Sequence, residues 1–204
     1  MSEQTPSTIS FIMDENTISI FSIILQQGFK VNARVGCSLK SMLCDQFGVD
    51  PEYLSDRIQT IFLDGRPVDD VESTIIIDGA TLALSAAMPG LVGATLRSGG
   101  PLSVFRSSIT HRGEEGKSKI PAEGMITLKF FNLLVSEMGP AFLERGIWVE
   151  NDIIKNFIEG KKADWETVFK SLRVDGRDIG PDEFSLLKWN KGQKLIQVTV
   201  QIEK

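Results

Sequence analysis

The sequence predicts an α+β protein of two similar domains in tandem, near residues 1–88 and 125–204, joined by a glycine-rich basic segment over 89–124. Three observations carry that expectation, and the first is a repeat. The segment Ile61-Phe62-Leu63-Asp64-Gly65-Arg66-Pro67-Val68 has a second copy in Leu172-Arg173-Val174-Asp175-Gly176-Arg177-Asp178-Ile179, and a shift of 111 residues carries Asp64, Gly65, Arg66 and Val68 onto Asp175, Gly176, Arg177 and Ile179. A shift of 113 then carries Gly79 and Leu82 onto Gly192 and Leu195, so two inserted residues separate the registers and one strand-turn-strand unit closes both domains. Second, in both copies, runs that alternate apolar and polar residues flank a stretch with apolar residues at helical spacing. Third, composition breaks between the copies: 89–124 holds seven of the 18 glycines and sets Arg97, Arg106, Arg112, Lys117 and Lys119 against Glu114, Glu115 and Glu123.

Taken in order, Ile9, Phe11 and Met13 alternate after a polar lead and read as an accessory edge strand or an ordered arm. Ile20 to Gln26 is rich in isoleucine, Gly28 supplies a turn, and Phe29, Val31, Ala33 and Val35 alternate with polar residues, which together predict a hairpin. Leu39, Met42, Leu43 and Phe47 follow at helical spacing with Gly48 placed to end the helix. An irregular stretch is expected from Pro51 to Arg57, then a strand over Ile58 to Leu63, the Asp64-Gly65 turn, a short strand at Ile75 to Ile77 and a last strand over Thr81 to Ala86.

The second copy opens with a strand in Met125 to Leu134, continues with Ile147-Trp148-Val149, and then offers Asn151 or Asp152 as the cap of a helix carrying Ile153, Ile154, Phe157 and Ile158, with Gly160 at its end. Asp164 to Phe169 reads as one more helical turn. Lys194 to Ile202 sets Ile196, Val198, Val200 and Ile202 on one face and mostly polar residues on the other, a strand that covers one side of a core.

The order strand, strand, helix, strand, short strand, strand over Ser19 to Met88 resembles the β-grasp, or ubiquitin-like, fold. Leu63-Asp64-Gly65-Arg66-Pro67-Val68 and Asp78-Gly79-Ala80-Thr81-Leu82-Ala83-Leu84 are similar to the corresponding segments of ubiquitin-like sulfur carriers, the thiamine sulfur carrier and the molybdopterin synthase small subunit. Met125-Ile126-Thr127-Leu128-Lys129-Phe130-Phe131-Asn132-Leu133-Leu134 is similar to the opening strand and turn of the latter. The resemblance implies two tandem β-grasp domains.

Composition excludes several function classes. Hydrophobic content of 42% and charged content of 24% are those of a globular chain, and a net charge of −5 gives no general attraction to nucleic acid or anionic lipid. Phe105 is the one aromatic residue in the basic segment, too few for base stacking. No apolar run reaches the length of a membrane span and Met1 to Thr8 carries no signal-peptide core, so a cytoplasmic location without membrane attachment is expected. Cys37 and Cys44 lie about 10 Å apart along a regular helix, beyond disulfide reach. With His111 as the single histidine, the thiols read as reduced and structural, and neither a metal nor another cofactor is expected.

The basic segment contains Leu96-Arg97-Ser98-Gly99-Gly100, which resembles the Leu-Arg-x-Gly-Gly tail of ubiquitin-like modifiers and implies a sulfur carrier or modifier precursor cut after Gly100. Two features oppose this: Gly100 is joined to Pro101, and the second domain ends in Val200-Gln201-Ile202-Glu203-Lys204 without a glycine. A second alternative is an anion or small-ligand site in which the amides of Gly99 and Gly100 and the side chains of Arg97, Arg106, His111 and Arg112 converge.

No catalytic residues are assigned. Ser107, Ser108 and Thr110 stand near His111 without a nucleophile elbow, and the acid pairs Asp69-Asp70 and Asp182-Glu183 read as solvated turn residues. Met88, Leu91, Val92, Leu96, Leu102, Val104 and Phe105 are more apolar than a solvated linker requires, so the segment is expected to pack. The leading expectation is a non-enzymatic protein-interaction module that binds a protein partner through sheet or linker surfaces, with Trp148, Trp165 and Trp189 as anchor candidates if exposed.

Overall fold

The computed structural model describes residues 7–87, 90–98, 100–102, 106, 109–110, 120–189 and 195–203. Its first half runs β1 (Thr8–Asp14), a 3-10 turn (Glu15–Phe21), α1 (Ser22–Gln27), β2 (Phe29–Val35), α2 (Leu39–Ser41) continued by a π-helical turn (Met42–Gln46), α3 (Pro51–Asp56), β3 (Thr60–Leu63), β4 (Arg66–Pro67), β5 (Thr81–Ser85) and α4 (Gly90–Leu96). The second half runs β6 (Ala122–Phe131), α5 (Leu134–Arg145), β7 (Ile147–Glu150), α6 (Asn151–Glu159), α7 (Trp165–Val168), β8 (Ser171–Val174), β9 (Arg177–Asp178), α8 (Pro181–Ser185) and β10 (Leu195–Glu203). Through β5 and β10 the halves repeat one order of elements, apart from α8. This is α+β architecture.

The compact units differ from the expected segments 1–88 and 125–204. One is continuous, Lys30–Val135, and the other is split, combining Met1–Phe29 with Ser136–Lys204. The physical reason is strand pairing: the first strand of each half joins the sheet built from the other half. The continuous unit has the strand order β2-β6-β5-β3-β4, with β5 and β6 parallel in the register Leu82↔Leu128 and Leu84↔Phe130. The split unit has the order β7-β10-β1-β8-β9, with β1 parallel to β10 (Ile9↔Val198) and antiparallel to β8 (Phe11↔Leu172).

The N-terminal run is therefore neither an edge strand nor an arm. Ile9, Phe11 and Met13 are fully buried, and Phe11 sits in a ring cluster with Phe21 (centroids 5.1 Å apart) and Phe169 (5.3 Å), while Phe21 meets Phe157 at 4.8 Å. Nor do residues 20–26 form a hairpin arm. Phe21, Ile24 and Leu25 are buried at helical spacing, which one helix face satisfies and an alternating strand does not, and Gly28 ends the helix with φ 120°.

Two further helices depart from expectation. At α3 the Asp50 carboxylate accepts the Glu52 and Tyr53 amides at 2.8 and 3.1 Å and Pro51 occupies the first turn, an N-terminus that the residue types signal. In α5 Leu134, Met138 and Phe142 bury one stripe at four-residue spacing, and Gly139 admits the helix against α1, since a Cβ there would stand 2.5 Å from Leu25 Cδ1. Helix α6 forms as expected and ends at Gly160, although its N-cap position is Glu150 rather than Asn151 or Asp152. The short strand expected at Ile75 to Ile77 reduces to a single bridge between Ser38 and Ile75.

The two Asp-Gly turns show how the units correspond. Both central residues have positive φ in each copy, 48° and 77° at Asp64-Gly65 and 48° and 80° at Asp175-Gly176, the type I′ geometry that a right-twisted hairpin favours. Asp64 donates its amide to the Thr81 carbonyl (2.9 Å) and accepts the Thr81 amide on Oδ1 (2.7 Å), gripping the start of β5. Asp175 donates its amide to the Thr8 carbonyl (3.0 Å), and its Oδ1 accepts the Thr8 amide (2.9 Å) and the Ser7 amide and hydroxyl (3.0 and 2.7 Å). The same clasp holds β5 in one unit and β1 in the other, so β1 stands where β5 stands.

Burial raises the Asp175 pKa, but the bonds from Ser7 and Thr8 outweigh that and leave it below the ordinary carboxylate value. A depressed folded pKa stabilises above the unfolded value of about 4 and ceases to do so as pH falls through the folded value. Asp175→Asn is accordingly expected to lower the melting temperature at neutral pH, with the difference from wild type closing below about pH 4. A deficit that stays constant across a pH series would exclude the carboxylate charge as its cause.

Candidate functional site

Of the sequence-nominated residues, Arg97 lines a cleft of about 560 Å³ in the continuous unit. Leu54 from α3, Ile58, and Ile61 from β3 are buried side chains that line it. Lys40 and Glu72, paired at 2.6 Å, stand on its border, and their hydrogen bond holds the Lys40 pKa above its ordinary value. Arg97 and Ser98, which follow α4, line it too, as do the carboxylates Asp56 and Asp69.

The chain reaches that position through local bonds. The Arg97 amide closes the last turn of α4 on the Gly93 carbonyl (3.0 Å), and the Gly100 amide returns to the Arg97 carbonyl (3.2 Å). Between them the Ser98 amide donates to the Gln59 carbonyl (2.8 Å) and the Ser98 hydroxyl to the Asp69 carbonyl (3.2 Å). Leu96 to Ser98 is thus the end of a helix and a turn laid against the unit, and Gly100 is buried.

Arg106 fixes this arrangement. Its side chain is 4% exposed, and Nη1 and Nη2 donate to the two Asp69 carboxylate oxygens at 3.0 and 2.7 Å. Nε donates to the Thr95 carbonyl (2.6 Å), Nη1 also to the Thr110 hydroxyl (3.0 Å), and Nη2 also to the Arg97 carbonyl (3.1 Å). A guanidinium has five N–H groups, and all five have partners inside the chain. Arg106 therefore has no donor left for a ligand.

Of the other nominated residues, Arg97 is exposed on the cleft, with no ion pair among the described residues. Gly99, His111 and Arg112 lie outside the described residues, as do Met88, Val104, Phe105, Ser107, Ser108 and the side chains of Leu91 and Val92. The acid pair Asp69-Asp70 divides. Asp70 is a turn residue whose pKa is lowered by hydrogen bonds from the Ser73 hydroxyl and the Ser73 and Glu72 amides, while Asp69 is the counterion of Arg106.

Sequence reasoning missed Gln59. Its Nε2 donates to the Asp56 carbonyl (3.1 Å), which identifies the oxygen end of the amide, and Oε1 is buried without a hydrogen-bond partner among the described residues. An orphaned buried acceptor is uncommon and costs about 1–3 kcal/mol. No sequence signal marks it, because a glutamine ahead of a strand is ordinary.

A second recess, about 660 Å³, lies in the split unit between α1 and α6, where Ile20, Ile23, Ile24, Ile153 and Phe157 line it. Ile23 is 53% exposed. The tryptophans offer no exposed anchor: Trp165 is buried against Phe169 and Phe184, Trp189 stacks edge-on to Phe184 at 5.5 Å, and Trp148 is half-buried. Strands β4 and β9 are two residues long, so at those borders the sheets offer little ladder to an added strand.

The cysteines are free thiols, and burial pushes the Cys44 pKa up, away from the thiolate. Among the described residues no group of His, Cys, Asp and Glu could hold a metal ion, and no helix is long and apolar enough to cross a membrane. No family model, no curated protein and no solved structure matches the chain.

Proposed function

We propose that the chain is a non-enzymatic protein-interaction module built on two ubiquitin-like domains and that its partner docks at the cleft beside Arg97. The fold reading is supported by the strand order β2-β6-β5-β3-β4 with its parallel central pair, which is the β-grasp order once β6 is given the first-strand place. The split unit repeats that pattern of strand directions, with β10 and β1 filling the two central places.

The observation that carries the functional reading is the character of the cleft: an apolar lining from Leu54, Ile58 and Ile61, a charged border, and an exposed cation, Arg97, with no ion pair among the described residues. Sites of this size and mixture suit a protruding side chain or chain end of a partner. The carrier alternative needs Leu96 to Gly100 as a free extended tail, whereas Leu96 to Ser98 is helical and turned and Arg106, beyond the cut, holds the Thr95 and Arg97 carbonyls. The arginine-based anion alternative loses Arg106 to Asp69.

The test is purification of the full chain from its own cell beside Ser55→Trp, which sets a ring into the cleft from an exposed position. A partner retained by the wild type and lost from the folded variant is the expected result. Equal retention by both, or a mature species ending at Gly100, would overturn the proposal.

A further inference from the structure

We propose that the split unit is a strand-acceptor site for a second copy of this chain: two copies exchange residues 1–28, each placing β1 between β10 and β8 of the other, and so form a dimer. The cleft plays no part in this. The unit is assembled from two segments, Met1–Phe29 and Ser136–Lys204, and the chain that joins them, Lys30–Val135, is a compact unit of its own that closes its sheet with β6. Both cysteines belong to the continuous unit, so no covalent bond inside the split unit ties one segment to the other.

The second segment holds β1 along its length. Seven residues pair with β10 and four with β8. Asp175 accepts the Ser7 and Thr8 amides at one end. At the other, Lys170 bridges Asp14 and Glu203, like charges that face each other across the ladder, and its amide donates to the Ile12 carbonyl (3.0 Å). The same strand from another copy meets each of these groups identically, so exchange conserves the native bonds. An unrelated strand would have to bring donors to Asp175, an acid to Lys170 and a ring to Phe157 and Phe169 in one register. A second copy brings the whole set.

One residue supplies the hinge. Helix α1 ends at Gly28, whose φ of 120° suits glycine, and Phe29 directly after it meets Phe142 of the second segment, with ring centroids 5.8 Å apart. Glycine passes to other backbone conformations without a Cβ clash, so the arm turns away at Gly28 while Phe29 stays seated in its own copy. Within one chain the arm competes at an effective concentration of about 1 mM, the value for a short tether. Exchange between copies therefore prevails only in concentrated or co-refolding chains.

The test refolds the full chain at about 10 µM and at about 1 mM, and reads mass by sedimentation. Monomer is expected at the lower concentration and, at the higher, a dimer fraction about tenfold or more greater, with native tryptophan emission. Ser10 and Thr199 are ladder partners whose hydroxyls stand 2.8 Å apart, within reach of a disulfide once both are cysteine. Ser10→Cys in one lot and Thr199→Cys in another, refolded together at the higher concentration and oxidised, should link across copies through the introduced thiols, located by peptide mass. The double variant refolded at the lower concentration should link within one chain.

Monomer at both concentrations would overturn the proposal. So would dimers whose introduced thiols stay unlinked across copies while the double variant closes. A double variant that fails to close would overturn the pairing of β1 with β10, and the proposal with it.

Discussion

Deletion of residues 1–14 is expected to unfold the split unit while the continuous unit stays folded. Strand β1 is paired along both sides, over seven residues with β10 and four with β8, so its loss strips the inner ladder of two strands at once. Ile9, Phe11 and Met13 are fully buried, and at about 1.5–3 kcal/mol each their removal forfeits about 5–9 kcal/mol of hydrophobic stabilisation. A domain's whole stability is about 5–15 kcal/mol. Phe11→Ala alone, by opening a cavity among Phe21, Phe157 and Phe169, is expected to cost about 3–5 kcal/mol.

The readout is clean because all three tryptophans, Trp148, Trp165 and Trp189, belong to the split unit, and the single tyrosine, Tyr53, belongs to the continuous one. The truncated chain should show red-shifted tryptophan emission with residual helix and sheet. Native tryptophan emission after truncation would mean that Ser136–Lys204 folds without β1 and that the strand exchange is wrong.

Arg106→Ala is expected to cost about 2–4 kcal/mol in the continuous unit. Breaking a buried ion pair costs about 3–5 kcal/mol when the remaining charge stays buried. Asp69 is 33% exposed, so water recovers part of that, while the Thr95 and Arg97 carbonyls lose a charged donor. Arg106→Lys should rescue little, because an ammonium cannot span the five acceptors that the planar fork reaches. Urea unfolding followed by tyrosine fluorescence gives the magnitude, and limited proteolysis of 89–124 reports release of the segment. Unchanged unfolding together with a protease-resistant segment would contradict the staple.

Some of this molecule is written locally. The Asp-Gly turns were legible in both copies because two successive left-handed residues restrict the choice to a few types, and Gly48, at φ 74°, marked a helix end by the same conformational logic. The alternation of Ile196, Val198 and Val200 fixed the buried face of β10, since side chains of a strand alternate whatever their partners. Asp50-Pro51 carried a helix start that the polar composition of 52–57 obscured.

What tertiary structure decided is which strand pairs with which. Ile9, Phe11 and Met13 present an apolar face that any sheet of this kind would accept, so their pattern is silent on whether β1 closes its own half or the other. The isoleucines of 20–26 favour a strand by their branching, and the chance to bury Phe21, Ile24 and Leu25 together on one face overrode that preference. The bond between Arg106 and Asp69 spans 37 residues, and the cleft is assembled from Lys40, α3, β3 and the end of α4. Turn geometry is settled by the steric limits of neighbouring residues, and pairing and sites by burial between residues far apart, which is why the first was readable in the chain and the second only in its fold.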